Sequence, residues 1–469
     1  MRKPISTPVA LALAALALAI PATTAAAADP GVQVISKDRR EIDGGGGTQA
    51  RTAATRQVTP CTWSYFGDPR AVAHRDWVFT GCISTDGRVK LDEYNLGTGE
   101  RRLLTLFRGL EVDDHNNPSL VFFRSKLYAF SSEHAGYVYP RDRDSRMKYR
   151  VSKRNWGAGR AWGGTRTVPL ESGCGLGYTY PNPVVSGKRL YLFMRGPCWY
   201  PYYTSTADGK TWAAPKTLVL GPPSTGRNVR PYAKYDTAPD GSIMMTFSDG
   251  HPGSYKNSLY YMRFKNGRFF KADGTVIGTT RNLPFRLSQL DMVQPYSASK
   301  GRPWPMDIAF DSAGVPAIVY SSRVGEDDTF RYARWNGATW ETRLISPAGG
   351  NLFGYRNGGI TFNHGDPRWI VLTRLIDGQQ EVEVRHTEDQ GVTWEPFQIT
   401  SNSTTLNFRP VFPRGITDPG RLVVVYVSGS ATSFRSYRTV VNMRIDTPLK
   451  PEPTPTPTPV PTVTPTPTP

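Results

Sequence analysis

Residues 180–196 read YPNPVVSGKRLYLFMRG, and residues 200–215 read YPYYTSTADGKTWAAP. Apolar and polar residues alternate through both stretches, and Gly, Asn and Asp stand where the chain must turn, which is typical of β-hairpins. The two hairpins together make one unit of four short antiparallel strands. Amphipathic helical periodicity is nearly absent from the rest of the chain, so the fold is predicted to be all-β.

This unit recurs at intervals of roughly 40–55 residues, the period of a propeller blade. The corresponding stretches are 77–104, 115–162, 230–270, 305–344, 358–396 and 409–445. Seven units predict a seven-bladed β-propeller of four-stranded antiparallel blades, because a closed ring leaves no exposed sheet edge. An array of β-sandwiches is the competing fold, although it would not demand so regular a period.

The two ends of the chain differ from the repeats. Arg2 and Lys3 precede an apolar run and a small-residue stretch, the pattern of a secretory signal peptide. The end of the chain is almost pure Thr-Pro repeat, which is typical of an extended linker. No other stretch approaches membrane-spanning length. We expect a secreted protein with a signal peptide (1–28), a flexible leader (29–55), a propeller domain (56–448) and a Thr-Pro-rich linker or tail (449–469).

The four cysteines suit an exported protein. Cys61–Cys82 and Cys174–Cys198 are the local pairings that we favour among the three pairings that four cysteines allow. A metal site is a poor interpretation of these residues, because no CxxC or HExxH spacing occurs.

The chain is strongly basic. Its net charge of +18 falls to +16 once Arg2 and Lys3 leave with the signal peptide. Such a protein is suited to nucleic acid, an anionic surface or an acidic polysaccharide, or the charge serves solubility alone. Because the charge is dispersed and no nucleic-acid-binding motif is present, we expect no nucleic-acid partner.

Two short motifs resemble the Asp-box turn of bacterial neuraminidases. Thr387-x-Asp389-x-Gly391-x-Thr393-Trp394 fits it, and residues 205–212 are a shifted variant. Sialidase chemistry is one interpretation of such boxes. We favour a structural one, in which the carboxylate and the glycine close the turn between the third and fourth strands and the tryptophan packs between blades.

The topology predicts where a site would lie. In an antiparallel blade, the start of the first strand and the end of the second lie at the same edge. The first strands line the channel, so these positions converge on one mouth of the ring. The residues at first-strand starts are Asp113, Asp114, His115, Asn116, Asn117, Tyr180, Asn182, Arg230, Tyr232 and Tyr235. The second strands end at His134, Arg195, His251, Arg323 and Arg374. We interpret His74, His364 and His386 as structural.

A rim of Arg and His with few unpaired carboxylates favours anionic ligands. Glycoside hydrolysis normally requires two carboxyl groups at a set separation, and the adjacent Asp113 and Asp114 naturally serve turns. Elimination beside a uronic acid has other requirements. The carboxylate must be neutralised, a base must remove the C5 proton, and an acid must protonate O4; Arg, His and Tyr can fill these roles.

The residues at this rim resemble a known family. The string Asp113-Asp114-His115-Asn116-Asn117-Pro118, with Glu133-His134 and Tyr180-Pro181-Asn182-Pro183, is similar to the repeat-bearing propellers that contain ulvan lyases. Further matches are residues 192–196, 230–235 and 249–252. The likeness is best in blades two to four.

The resemblance implies roles for individual residues. His115 and Tyr180 would be the catalytic base and acid, in an order that stays open, and Arg195 and His134 would bind and neutralise the carboxylate. Tyr235, or in its place Tyr232, would complete the subsite. The remaining substrate-binding residues would be Arg230, His251 and Asn117.

The predicted function is a secreted polysaccharide lyase that leaves a 4,5-unsaturated uronate end. Its substrate would be an acidic polysaccharide, either ulvan or a gum with rhamnose–glucuronate linkages. The alternatives are a non-catalytic carbohydrate-binding propeller and a sialidase-type hydrolase, which lacks its arginine triad here. The chemistry requires no cofactor; a structural metal ion is compatible with such propellers, but no run has convincing ligand spacing. We expect a monomer, because a closed ring needs no partner to bury its edges.

Overall fold

The computed structural model describes the chain in stretches that belong to one compact unit. They are residues 53–134, 146–153, 161–170, 173–174, 176–222, 230–251, 256–311, 313–325, 327–349, 357–416 and 421–446. No helix within them is long and apolar enough to cross a membrane. The predicted signal peptide, most of the predicted leader and the Thr-Pro tail lie outside the described residues and stay predictions.

The predicted propeller is confirmed: seven antiparallel sheets follow one another as blades. Each of blades 1 to 3 has four strands in chain order, and the first strand of each contacts the first strand of its neighbour. The strands up to the end of blade 3 are β1 (Ala53–Pro60), β2 (Ala71–His74), β3 (Trp77–Ile83), β4 (Val89–Asn95), β5 (Arg101–Phe107), β6 (Ser119–Phe123), β7 (Lys126–Ser131), β8 (Lys148–Val151), β9 (Arg166–Thr167), β10 (Thr179–Ser186), β11 (Arg189–Arg195), β12 (Pro201–Thr206) and β13 (Lys216–Thr217).

Blade 4 departs from the predicted four strands. Its sheet has six, because β19 extends the outer edge and β21 pairs with β17. A short parallel pair, β14 with β20, lies outside this sheet. The strands of this region and of the four-stranded blade 5 are β14 (Val219–Leu220), β15 (Ala233–Thr237), β16 (Ile243–Ser248), β17 (Leu259–Lys265), β18 (Arg268–Phe270), β19 (Val276–Thr279), β20 (Phe285–Arg286), β21 (Asp291–Gln294), β22 (Arg302–Phe310), β23 (Pro316–Val324), β24 (Asp327–Trp335) and β25 (Trp340–Pro347).

The last blade closes the ring with a strand from the other end of the described chain. Strand β1 pairs with β32 as the outer strand of blade 7, so an edge that would otherwise be exposed is covered. Strand β1 begins at Ala53, so the predicted boundary between leader and propeller at residue 56 falls inside this strand. The strands of blades 6 and 7 are β26 (Ile360–Phe362), β27 (Trp369–Ile376), β28 (Gln379–His386), β29 (Glu395–Gln398), β30 (Leu406–Val411), β31 (Leu422–Ser433) and β32 (Ser436–Asp446).

Helix is confined to three short 3-10 turns among the described residues: Asp114–Asn116, Pro197–Trp199 and Leu287–Gln289. Both predicted disulfides are present, Cys61–Cys82 and Cys174–Cys198, with Cα atoms 5.8 and 5.3 Å apart. The first disulfide joins the segment after β1 to strand β3 of blade 1. The second joins the segment before β10 to the turn between β11 and β12 of blade 3.

The Asp-box motifs are structural, as predicted. In blade 6 the backbone N–H of Thr393 donates to Asp389 at 2.8 Å, and in blade 3 Thr211 N–H donates to Asp208 at 2.7 Å. The tryptophans pack across to the preceding blades: the Trp394 ring lies 5.6 Å from that of Tyr332, and Trp212 lies against Phe130 and Tyr149. The boxes therefore join neighbouring blades and carry no site.

A network of charged side chains joins five blades along the channel. His364, which follows β26, lies with Nδ1 2.8 Å from Asp236 and Nε2 2.9 Å from Asp307. Burial and Arg414 oppose its protonation, but the two aspartates outweigh them and raise the pKa of His364 to about 9. The other members of the network are Asp68, Arg70, Lys234 and Arg414. The predicted structural role of His364 is consistent with these contacts.

Candidate active site

Four of the side chains predicted to converge at one mouth lie close together there. In blade 3, Thr179 at the start of the first strand pairs with Arg195 at the end of the second. In blade 2, Ser119 pairs with Phe130, and His134 follows that second strand. The residues that the two blades bring together are His115, His134, Tyr180 and Arg195.

Tyr180 occupies a β-bulge. The pairing register shifts between Thr179 and Asn182, and the φ angle of Tyr180 is 59°. A bulky residue in this left-handed region costs about 1–3 kcal/mol and persists where the surroundings enforce it. The Asn182 carboxamide donates at 2.9 Å to the carbonyl oxygens of both Tyr180 and Phe66. The bulge places the Tyr180 ring centroid 5.6 Å from that of His115 and 5.9 Å from that of His134.

Asp113 holds two imidazole rings at once. Its Oδ1 lies 2.7 Å from Nδ1 of His115, and its Oδ2 lies 2.9 Å from Nδ1 of His134. The two rings stack with their centroids 3.6 Å apart. An ionised carboxylate only accepts hydrogen bonds, so both Nδ1 atoms carry a proton; a ring that is protonated on Nδ1 alone keeps its lone pair on Nε2. The pair therefore offers Nε2 atoms as proton acceptors.

The charges of this cluster follow from burial and from contact. Burial acts to raise the pKa of Asp113, but His115 and His134 outweigh it and hold that pKa far below its usual range. Burial, together with His115 and Arg195, lowers the pKa of His134 to about 3. His134 is therefore neutral at pH 7. The role that the resemblance implies for His134, binding a carboxylate together with Arg195, stays a prediction.

Arg195 brings a cation to this cluster. Its guanidinium carbon lies 4.1 Å above the Tyr180 ring and 4.5 Å from the Trp199 ring, and its Nη2 contacts the carbonyl oxygen of His134 at 3.5 Å. The two aromatic faces fix the plane of the guanidinium. Arg230 continues the positive surface outward, 5.3 Å from the Trp199 ring.

Blade 7 closes the other side of the histidine pair. Phe434 presents its ring edge to His115 at 5.5 Å and to His134 at 5.2 Å, and the Arg435 Nε lies 3.3 Å from Asp113. Arg409 is buried and bonded to Asp114 at 2.7 Å. It therefore holds the floor of the site together and faces no open mouth.

An aromatic group extends the mouth toward blades 4 and 5. Tyr232 contacts His251, with ring centroids 5.7 Å apart, and both contact Trp304. Phe66 lies against Trp304 and also stacks on Tyr180. The predicted Tyr232 and His251 are thus connected to the histidine pair through aromatic contacts.

Two predicted site residues are placed elsewhere. Tyr235 is buried between blades 3 and 4, with its ring stacked on Phe193 at 4.2 Å. Successive side chains of a strand point to opposite faces, so Lys234 faces the channel and Tyr235 cannot. Asn117 is buried, and its side-chain oxygen accepts from the backbone N–H of Ser64 at 3.1 Å. Neither side chain is therefore among those that meet beside the histidine pair.

Several important contacts were not recognised from the sequence. Asp113 was interpreted as a turn residue; it does accept from the backbone N–H of His115, at 3.0 Å, but it also orients two imidazoles. Phe66, Trp199, Trp304 and Phe434 carry no local signal, because they come from four separate loops or strands. Strand alternation alone predicts that Tyr235 lies on the opposite face of its strand from Lys234.

One described group has the spacing to hold a metal ion. It consists of Asp113, His115 and His134, whose ligand atoms lie within 4.8 Å of one another. Because both Nδ1 atoms already bond to Asp113, an ion bound through them would have to displace those hydrogen bonds. No stretch of the sequence has convincing metal-ligand spacing, and this cluster is the described site at which to test for an ion.

The fold is a seven-bladed propeller. Its candidate site lies at a basic, aromatic mouth where the first strands of the blades begin. Residues 77–348 match the family described as BNR repeat-containing family members. The chain belongs to that family. No curated protein sequence matches it.

Two solved structures have similar folds at low sequence identity. One is a PL25 ulvan lyase bound to -[GlcA(1-4)Rha3S]-, with 16% identity and a TM-score of 0.63 over 82% of this chain and 93% of that one. The other is the polysaccharide lyase Uly1, with 13% identity and a TM-score of 0.54 over 82% of this chain and 91% of that one.

Proposed function

We propose that the protein is a secreted polysaccharide lyase that cleaves beside a uronate by β-elimination. The observation that carries this proposal is the cluster at the mouth. A fixed guanidinium, a pair of imidazoles held by one carboxylate and a tyrosine meet there within a few ångströms. Elimination requires a cation, a proton acceptor and a proton donor, and these groups supply all three.

Arg195 binds the uronate carboxylate in this mechanism. Charge neutralisation by the guanidinium makes the C5 proton more acidic. An imidazole Nε2 or the Tyr180 oxygen removes that proton, the electron pair forms the C4–C5 double bond, and the C4–O4 bond breaks. The partner group protonates O4. Asp113 keeps the imidazoles in the tautomer that leaves Nε2 free to accept.

The two histidines are not equivalent. His115 is almost fully buried between Phe66 and His134, whereas the His134 side chain is 22% exposed. His134 is neutral, so in this proposal it acts as an acceptor near the substrate, and the carboxylate is left to Arg195. The division of the two proton steps between the imidazole pair and Tyr180 stays open.

The solved structures support the class of substrate. The PL25 ulvan lyase holds a repeat of glucuronate and 3-sulfated rhamnose, and the net charge of +18 suits a polyanion. The two disulfides and the signal-like N-terminus support secretion. The proposed substrate is therefore a polymer of glucuronate and rhamnose, either sulfated as in ulvan or unsulfated as in a plant gum.

One assay tests the proposal against its alternatives. Mature protein would be incubated with ulvan, with gum arabic and with a neutral glucan, following both the ultraviolet absorbance of an unsaturated uronate and new reducing ends. Elimination produces both signals together. Reducing ends without absorbance would indicate hydrolysis, and binding with neither signal would indicate a carbohydrate-binding propeller. The same assay with EDTA and with added Zn²⁺ tests whether a metal at Asp113, His115 and His134 matters.

A further inference from the structure

The turn between β11 and β12 has an unusual backbone conformation. It consists of residues 196–200 and includes the 3-10 turn Pro197–Trp199. Cys198 and Trp199 both have positive φ angles, 57° and 68°. Consecutive non-glycine residues in this left-handed region are unfavourable and persist only where their surroundings enforce them, and such residues cluster at active sites.

Hydrogen bonds close the base of the turn. The Gly196 N–H donates to the Tyr200 carbonyl oxygen at 2.9 Å, and the Trp199 N–H donates to the Gly196 carbonyl oxygen at 3.1 Å. A Cβ at Gly196 would come within 2.6 Å of the rings of Tyr178 and Tyr202, so the turn packs directly against two aromatic side chains. These contacts hold the two ends of the turn in place.

The Cys174–Cys198 disulfide holds the middle of the turn. It joins the turn to the segment before β10, with the two Cα atoms 5.3 Å apart. That segment lies against the turn, because a Cβ at Gly173 would lie 3.2 Å from the Pro197 side chain. Cys198 immediately precedes Trp199, so the disulfide restrains the residue next to the indole.

The two disulfides of the protein differ in their access to solvent. Cys61 and Cys82 are 1% and 0% exposed, whereas Cys174 is exposed and Cys198 is partly exposed. Reduction begins when a thiolate attacks a sulfur atom that it can reach. A mild reductant is therefore expected to open Cys174–Cys198 while Cys61–Cys82 stays intact.

The turn presents the Trp199 indole to the candidate active site. The guanidinium carbon of Arg195 lies 4.5 Å from this ring and 4.1 Å from the Tyr180 ring. Within the described part of the chain, no carboxylate forms an ion pair with Arg195. Because a guanidinium binds a carboxylate through two parallel hydrogen bonds, a displaced indole would misalign the cation without removing it.

We propose that Trp199 is a positioning residue for carboxylate binding and that the Cys174–Cys198 disulfide acts through it. The disulfide holds the turn, the turn holds the indole, and the indole holds the plane of the Arg195 guanidinium. Opening the disulfide leaves Arg195 charged but no longer aligned with a uronate carboxylate. This inference rests on the proposed function for its ligand, and it gives one disulfide an effect on turnover that the other does not have.

The first test compares the two disulfides. Cys174→Ser with Cys198→Ser opens the one at the turn, and Cys61→Ser with Cys82→Ser opens the buried one; both pairs are assayed where circular dichroism shows them folded. On ulvan, kcat/KM should fall roughly tenfold, about 1.4 kcal/mol, for the first pair and stay unchanged for the second. Dithiothreitol, which closes to a cyclic disulfide as Cys174 and Cys198 each gain a hydrogen, should lower the wild-type kcat/KM equally. A first pair with wild-type kcat/KM would overturn the proposal.

A double-mutant cycle distinguishes positioning from a general loss of structure. Trp199→Leu should lower kcat/KM as much as opening the disulfide does, and Trp199→Phe, which keeps an aromatic face, should recover most of the loss. In the Trp199→Leu background, Cys174→Ser with Cys198→Ser should have no further effect, because both changes act on one contact. Trp335→Leu, at the turn between β24 and β25, is the control and should match the wild type. Losses that multiply in the combined variant would overturn the proposal.

Binding separates this inference from the proposed function, because it requires no cleavage. Affinity electrophoresis of the same variants would use ulvan and carboxyl-reduced ulvan. If the wild type binds without cleaving, and Trp199→Leu weakens binding only to the polymer with carboxylates, the lyase proposal fails and the positioning role stands. If the wild type cleaves ulvan and the variants match it, the positioning role fails alone. No binding and no cleavage by the wild type would overturn both.

Discussion

At the scale of single residues, the candidate site depends on one carboxylate. Asp113 is fully buried and accepts from Nδ1 of both His115 and His134. Each imidazole is thereby kept in the tautomer with a free Nε2 lone pair. A residue that the sequence presents as a turn former thus sets the proton chemistry of two others.

Asp113→Asn should lower kcat by roughly 10²- to 10⁴-fold, because an amide can donate to one imidazole and force the opposite tautomer. The matched control is Glu111→Gln, which removes another rim carboxylate near Arg435 but touches neither histidine ring. Initial rates of unsaturated product formation measure both variants. Equal rates for Asp113→Asn and wild type would contradict the role of the carboxylate.

Substitution of Arg195 by lysine tests whether the site requires a planar guanidinium or only a positive charge. Arg195→Lys keeps the charge but loses stacking between Tyr180 and Trp199 and the fork that matches a carboxylate. We expect kcat/KM on ulvan to fall by at least about tenfold, whereas Arg268→Lys on the outer edge should leave it unchanged. Full activity of Arg195→Lys would show that only net charge matters at this position.

At the scale of elements, turns and bulges decide which side chains meet. The Tyr180 bulge and a similar register shift at Arg409 both lie near the start of a first strand, and both residues have positive φ angles, 59° and 54°. A regular strand would send these side chains to fixed alternate faces. The two irregular strands instead direct the Tyr180 side chain to the mouth and the Arg409 side chain to the buried layer beneath it.

The Asp-box glycine of blade 3 should be sensitive to both conformation and packing. Gly209 has a φ of 74°, and a Cβ there would lie 2.1 Å from the Tyr128 hydroxyl of blade 2. Gly241 has a φ of 76° with nothing within 4 Å of its Cβ, so Gly241→Ala isolates the conformational cost. We expect Gly209→Ala to reduce the free energy of unfolding by about 1–3 kcal/mol more than Gly241→Ala does. Denaturant unfolding measures the free energy of unfolding of both variants. Equal losses would show that Tyr128 of blade 2 moves aside without a loss of stability.

At the scale of the whole molecule, two partly buried histidines make stability depend on pH in opposite directions. The pKa of His364 is raised to about 9 in the channel network. Its contribution is therefore complete below the unfolded pKa of about 6.5 and is lost as pH rises through 9. The pKa of His134 is lowered to about 3. The unfolded state binds more protons between about pH 3 and 6.5, so stability there is lost as pH falls.

We therefore expect the free energy of unfolding to be greatest near neutral pH, with a loss of at most about 3 kcal/mol from His364 on going to pH 10. Thermal unfolding from pH 4 to pH 10 measures this profile. His364→Asn should flatten the alkaline side, and because His364 also holds down the pKa of Asp307, it should change the acidic side as well. His134→Gln should reduce the acidic loss and leave the alkaline side unchanged. The exposed outer Arg268→Gln is the control and should change neither side. An alkaline loss that persists in His364→Asn would assign it to other groups.

The sequence predicted the ring, both disulfides and the mouth at which the site lies, and the structure explains the limits of that prediction. The Asp boxes and the hairpin turns are formed by residues that are close together in the chain, so a short stretch of sequence is enough to predict them. The grouping of Phe66, Trp304 and Phe434 with the histidines could not, because those rings come from segments hundreds of residues apart. The neutral state of His134 likewise depends on burial by other blades.

The sequence by itself determined the seven repeated units, because alternation and turn chemistry are local properties of the chain. It also determined which residue types stand at the starts of the first strands. Strand alternation alone places the side chains of Lys234 and Tyr235 on opposite faces of the sheet. Only the tertiary structure decided which of those residues touch. Ring closure by β1, the bulge at Tyr180 and the burial of Asp113 set distances between blades, and such distances depend on packing of segments that are far apart in the chain.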